Sequence, residues 1–337
     1  MSFPKTQNEW RMALDSLPPT PEKIPAFFFG HGSPMLIARQ DLNSPMPIAM
    51  GSEGDLAKFL RDFGPALRAK YKPKGIVVFS AHWETIGARH VTDYGDKNPL
   101  LMDYFGFEPY FYQQTFESKG DRALAERLVQ LYKEAGQKAK LSGVRESRGW
   151  DGRTSPPSQG PGFDHGVFVP FKLMFGDKVD DVPIVQVSIE RSGDPEQNWA
   201  VGKAVSKLRS VFGPTIYVRT FIEPTYLMSR IHREEGILIL AGGLTVHNLR
   251  DPRQFSEKAA SPNVKMFDQA ITVAASQSQL DERKQSMFNL VKHDGFAQAH
   301  PSAEHFVPLY VAAGAGEEGG VQVISAIYSA PTIAFGI

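Results

Sequence analysis

Three histidines follow short apolar runs at comparable spacing. His31 comes one residue after the run 26–29, His82 two residues after 76–79, and His247 a little further after 237–241. Each run is rich in β-branched or aromatic residues and too short for a typical helix, so each reads as a buried strand. Strand ends of one sheet meet in space although they lie far apart in sequence. In open α/β sheets the carboxyl ends of the strands are where ligands bind. Three neutral imidazoles gathered there hold a divalent first-row metal and leave positions open for water, substrate or oxygen. A fourth, His165, stands between Asp164 and Gly166 after a long loop. These residue types alone leave the metal open, because a three-histidine set suits both zinc hydration chemistry and non-haem iron. The chain has no cysteine, so thiolate sites and disulfides are excluded and histidines and carboxylates must do any metal work. His90, His232 and His293 lack the strand-end context and read as surface or packing residues.

The elements that must position these residues alternate along the chain. The run 76–84, IVVFSAHWE, is the organising strand. Before it, Leu56, Leu60, Phe63 and Leu67 recur at helical spacing across 55–70, with Gly64-Pro65 weakening the middle of that helix. The segment 98–116 carries Tyr104, Phe105, Phe107, Tyr110, Phe111 and Tyr112 and reads as core, a lid, or a wall of an aromatic-substrate pocket. Leu124, Leu128 and Leu131 line one face of a helix over 120–136. Residues 147–162 are rich in Gly, Pro and Ser and form a loop leading into Phe163-Asp164-His165-Gly166. A strand at 182–189 follows. Asp194-Pro195 and Ser261-Pro262 are cap-plus-proline helix starts, predicting helices to about 209 and 278. A helix at 281–291 and a last strand at 321–328 complete the pattern. Alternation of this kind predicts an α/β sandwich with a largely parallel or mixed sheet.

Composition narrows the class. With 337 residues, 42% hydrophobic and 22% charged, the chain is ordinary for a globular protein, and no internal repeat or linker divides it. A formal net charge of zero argues against nucleic acid or an anionic membrane as partner. Residues 1–24 read as a polar, proline-rich N-terminal extension without the apolar core of a signal peptide, and no run reaches the ~18 apolar residues of a membrane span. A cytoplasmic protein acting on a small molecule is the expectation.

Five motifs occur in order: His31-Gly32-Ser33-Pro34, Ser80-Ala81-His82-Trp83-Glu84, Asp164-His165-Gly166, Gly242-Gly243 through His247-Asn248, and His300-Pro301 through His305. No one of them is specific, but together they resemble the class III extradiol ring-cleavage dioxygenases of the LigB-like superfamily, in particular the 4,5-DOPA extradiol dioxygenase type. The resemblance runs from about residue 25 to 335. It implies a three-layer sandwich with a central mixed β-sheet flanked by helices, and a single catalytic domain over 25–337. It implies non-haem Fe(II) held by His31, His82 and His247, with His165 as the acid/base histidine and a residue that approaches the metal in some members. It places His300 and His305 near the pocket, in substrate contact or behind the ligands. Ser33 and Asp164 are expected to orient His31 and His165, since ligating and catalytic imidazoles need an acceptor behind them. The implied reaction inserts O2 into a DOPA-like or other substituted catechol and yields a muconic semialdehyde, in a monomer or homodimer. Zinc, which binds the same ligands more tightly, would be able to occupy the site in a purified sample. Arg148, Arg153 and Arg191 are the candidate anchors for a substrate carboxylate. The segment 210–231 has no counterpart in the pattern and reads as an insertion, a surface helix or an oligomer contact. A zinc-dependent hydrolase and a non-catalytic metal-binding protein on the same scaffold are the alternatives.

Overall fold

Successive residues of a strand point to opposite faces of its sheet. In the run 76–79, Ile76 and Val78 enter one core cluster and Val77 and Phe79 the other. The same split recurs at Phe27 and Phe29 against Ala26 and Phe28, and at Leu238 and Leu240 against Ile237, Ile239 and Ala241. Strands that are apolar on both faces need helices on both sides. The computed structural model has that architecture; it describes residues 3–19, 21–39, 50–146, 148, 160–211, 215–222, 225–232 and 235–337.

The strands are β1 (Ala26–Gly30), β2 (Gly75–Thr85), β3 (Ala88–Asp93), β4 (Glu117–Ser118), β5 (Lys138–Gly143), β6 (Lys178–Val179), β7 (Ile184–Glu190), β8 (Thr215–Ile222), β9 (Thr225–His232), β10 (Ile237–Gly243), β11 (Val321–Ser325) and β12 (Thr332–Phe335). Eight of them form one sheet in the order β11-β12-β1-β10-β2-β7-β3-β5. The central strands β1, β10, β2 and β7 run parallel, while β12 pairs antiparallel with β1 and β3 with β7, so the sheet is mixed. The helices Gln7–Ser16, Asp55–Tyr71 and His165–Phe175 pack on one face. On the other lie Arg122–Glu134, Pro195–Ala204, Pro262–Ala275, Leu280–Phe288 and Pro308–Ala315.

The helix through Gly64-Pro65 does not break. Proline removes one backbone hydrogen bond, but Leu56, Phe59, Leu60, Phe63 and Leu67 are all buried and hold the helix to Tyr71. Both predicted cap-plus-proline starts are present, with Asp194 Oδ1 accepting from Gln197 N at 2.8 Å and Ser261 Oγ from Val264 N at 3.4 Å. The stretch read as an N-terminal extension holds a helix with a Thr6/Glu9 capping box, and it buries Trp10, Ala13 and Leu14 against the domain. In the segment read as an insertion, a surface helix or an oligomer contact, the helix alternative is replaced by a hairpin: β8 and β9 pair antiparallel from Thr215↔His232 to Ile222↔Thr225 as a two-stranded sheet of their own. The sequences TIYVRTFI and TYLMSRIH are rich in β-branched and aromatic residues, which favour strands. Arg153 and most of the loop predicted over 147–162 lie outside the described residues. Among the described residues, no helix is long and apolar enough to cross a membrane.

Candidate metal centre

The parallel strands β1 and β10 end level, Gly30 pairing with Gly243, and β2 pairs with β10 as far as Ser80 before running on to Thr85. His31 stands one residue past β1, and His82 lies near the end of β2. Between His31 and Ser33, Gly32 takes φ +69°, a left-handed conformation that favours glycine. That turn brings Gly32 O to 2.7 Å from His31 Nδ1. His165 is the first residue of its helix, and its ring centroid lies 4.1 Å from that of His82. His247 arrives on the loop after β10, where its N–H donates to Ala299 O at 2.9 Å.

Single ring nitrogens of His31, His82 and His305 lie within 4.8 Å of one another. His247 is not in that trio. It stacks on the His305 ring at 3.4 Å between centroids and 14° between planes, and groups with His305 and Glu304. His305 reaches the centre because its loop docks on the end of β10. Leu244 N donates to His305 O at 2.8 Å, and a Cβ on Gly243 would stand 2.4 Å from that oxygen. No apolar run precedes His305, so a search for histidines at strand ends passes over it.

The hydrogen bonds fix the tautomers. A carbonyl or carboxylate oxygen can only accept, so the imidazole nitrogen beside it must carry the proton. His31 Nδ1 faces Gly32 O. Asp103 spans two rings, with Oδ2 3.1 Å from His82 Nδ1 and Oδ1 2.8 Å from His165 Nδ1; Oδ1 also accepts from His165 N at 2.9 Å. Glu304 Oε1 lies 3.1 Å from His305 Nδ1 and 3.8 Å from His247 Nδ1. Each Nε2 of His31, His82, His165 and His305 therefore presents a lone pair. His82 and His305 aim theirs at each other across 3.2 Å, and His31 Nε2 is buried with no hydrogen-bond partner among the described residues. Facing lone pairs repel unless a cation sits among them, and a buried unpaired nitrogen costs about 1–3 kcal/mol. Carboxylates behind the ligands are the usual way of fixing such rings. The donor set therefore fits a divalent metal on His31, His82 and His305.

Electrostatics agree. Burial, and then the neighbouring imidazoles, push His31 and His305 well below the ordinary histidine pKa and His247 down to about 3. All three stay neutral near pH 7, the form that ligates. Burial alone would raise the Asp103 carboxyl, but His165 and His82 outweigh it and hold it well below the usual range.

The remaining sequence-predicted residues are placed differently. Ser33 caps a short 3-10 turn, its Oγ accepting from Met35 N at 3.2 Å, while the acceptor on His31 is Gly32 O. Asp164 is the N-terminal cap residue of the His165 helix, and its carboxylate pairs with Arg148; the carboxylate on the His165 ring belongs to Asp103. Arg148 is thereby buried and is no surface anchor for a substrate. Sequence reasoning passed over Asp103 because it sits in an aromatic-rich segment without a motif of its own. Tyr104 beside it packs edge-on to His165, with ring centroids 5.6 Å apart.

His300 lies among Phe267, Phe296 and Phe306, with Nε2 2.8 Å from Thr245 O. Burial lowers its pKa to about 4. In the unfolded chain the value returns to about 6.5, so the unfolded state takes up the proton first as the pH falls. Stability from this group is complete above about pH 6.5 and declines toward pH 4. Between pH 7 and pH 5 wild-type protein is expected to lose roughly 2 kcal/mol more than His300→Phe, in which other buried histidines cancel. Denaturant titrations at both pH values measure it, and equal losses in the two proteins would count against this placement.

Comparison with known proteins gives a consistent result. The family described as the catalytic LigB subunit of aromatic ring-opening dioxygenase matches residues 25–218. A Schizosaccharomyces pombe protein named 4,5-DOPA dioxygenase extradiol-like protein is 36% identical over 98% of this chain and 97% of its own. The 4,5-DOPA dioxygenase extradiol of Beta vulgaris is 27% identical over 92% of this chain and 94% of its own. An uncharacterized Escherichia coli protein of known crystal structure superposes with a TM-score of 0.59 at 22% identity, covering 93% of this chain and all of that one. That last likeness concerns the fold alone.

Proposed function

Because this chain belongs to the LigB family of aromatic ring-opening dioxygenases, we propose that it is an Fe(II)-dependent extradiol dioxygenase that opens a catechol-type ring. One observation carries the reading: the Nε2 lone pairs of His31, His82 and His305 converge, each with its Nδ1 tied to an oxygen. Iron bound there supplies Lewis acidity toward two adjacent ring hydroxyls and a route for electrons from ring to dioxygen. Both oxygen atoms end in the product, a muconic semialdehyde.

The side chains set up that chemistry. Three neutral imidazoles add no charge, so the positive charge of the ion is undiminished and favours a catecholate over a neutral phenol. His165 Nε2, left basic because Asp103 holds the proton on Nδ1, is placed to take a proton from a substrate hydroxyl and return it later. Histidine is the side chain most often used for such proton transfers. Tyr104 against its edge limits how far that ring can turn. His165→Ala is expected to keep its metal and lose about 10²–10⁴-fold in turnover. Loss of metal along with activity would make His165 a ligand instead.

The function is tested by loading the protein with Fe(II) under anaerobic conditions and following oxygen uptake over a panel of substituted catechols, DOPA included. Uptake matched by a yellow semialdehyde product is the expected result. Hydrolysis of esters or amides with zinc, and no uptake with iron, would overturn it.

A further inference from the structure

We propose that Arg148 is a positioning residue of this centre, fixing His82 relative to His165 through Asp164, Ser80 and Trp83; the proposal rests on the metal-centre reading above. Arg148 and Asp164 form an ion pair with neither side chain exposed to solvent. Arg148 Nη2 donates to Asp164 Oδ2 at 2.6 Å, and Nη1 donates to Gln186 Oε1 at 2.7 Å and to Gly162 O. The guanidinium also covers the ring of Trp83, 4.3 Å from its centroid. Gln186 Nε2 closes the ring of contacts by donating to Asp164 Oδ2 at 2.6 Å.

The contacts lead to the two histidines from opposite sides. Ser80 Oγ donates to Asp164 Oδ1 at 2.6 Å and accepts the His82 N–H at 3.1 Å. Trp83, under the guanidinium, is the next residue after His82. On the other side Asp164 begins the helix, its carbonyl accepting from Val167 N at 2.9 Å and Phe168 N at 3.0 Å, and His165 follows it directly. One guanidinium thus ties β2, β7 and the start of the His165 helix together. Burial alone would raise the Asp164 carboxyl, but the Arg148 charge, joined by His82 and the Ser80 hydrogen bond, brings it below its ordinary range and keeps the group ionised.

A pair buried this deeply is poor evidence for stability, since desolvation offsets much of the attraction. It is better evidence for placement. Arginine presents a planar fork with donors in fixed directions and a face that stacks on an indole, and lysine offers only a point charge. Metal sites and acid/base groups need placement of that order, because a shift of about 1 Å can cost about 10²-fold.

The test uses Arg148→Lys and the double variant Arg148→Met/Asp164→Asn, in which no buried charge lacks its partner. Each is taken as apo-protein and titrated with Co(II), reading affinity and the ligand-field absorption of the bound ion, alongside thermal unfolding. Both are expected to unfold cooperatively while binding Co(II) about 10–100-fold more weakly with a changed spectrum, the usual scale for loss of groups behind the ligands. Wild-type affinity and spectrum in either folded variant would overturn the proposal and leave the pair a purely structural one. If Arg148→Lys fails to fold, the double variant decides. Failure of wild-type protein to bind Co(II) at all would instead sink the metal-centre reading, and this proposal with it.

Discussion

His305→Ala is expected to abolish tight metal binding, whereas His247→Ala keeps the metal. The two rings stack at 3.4 Å, so either truncation disturbs the other ring. Their chemistry differs. His305 Nε2 lies 3.2 Å from His82 Nε2 and completes the trio with His31. His247 shares the Glu304 and His305 group. Removing a ligand should exceed the about 10–100-fold that losing a group behind one costs. Metal content after Fe(II) or Zn(II) reconstitution, measured beside thermal unfolding, separates the two cases. Metal retained in His305→Ala and lost in His247→Ala would return the third ligand to the position expected from strand ends. In His247→Ala, turnover should still fall, since the His305 ring loses the surface it packs on.

Asp103→Asn carries the second large effect. The carboxylate accepts from two imidazoles and one backbone N–H, which only a group with acceptors on both sides can do. An amide keeps one oxygen. If that oxygen stays with the two donors of His165, the NH2 group faces His82 Nδ1, and two donors meet. His82 must then shift its proton to Nε2, which removes the lone pair that ligates. The opposite flip frees the metal ligand and instead turns His165 into the wrong tautomer for accepting a proton. Either way activity is expected to fall at least about 10–100-fold. Co(II) affinity shows which ring gave way: weakened binding points to His82, and intact binding with lost turnover to His165. A variant with wild-type affinity and turnover would show that Asp103 sets neither tautomer.

Much of the fold was legible because burial on both faces leaves a mark in the chain. The runs 26–29, 76–79 and 237–241 could only be interior strands, and the cap-plus-proline pairs at Asp194 and Ser261 fixed two helix starts. At 215–232 the surface-helix alternative gave way to a hairpin, although the β-branched and aromatic content there is the local signal for strands. The helix through Pro65 was underrated because packing of five side chains outweighs one missing hydrogen bond, and packing is a sum over distant partners.

The amino-acid sequence by itself determined that the protein would be an α/β sandwich, that His31 and His82 would reach one sheet edge, and which family the chain resembles. These follow from local periodicity and from residues close to the strands that carry them. Tertiary structure alone decided that His305 joins them while His247 stacks behind it. It also decided that Asp103 serves two histidines and that Arg148 is buried against Asp164. Those assignments depend on contacts across the fold, such as the loop of His305 docking at Gly243 and the Arg148 guanidinium reaching Gly162 O and Asp164. A loop's docking is set by distances between residues far apart in the chain, and nothing in local spacing encodes them.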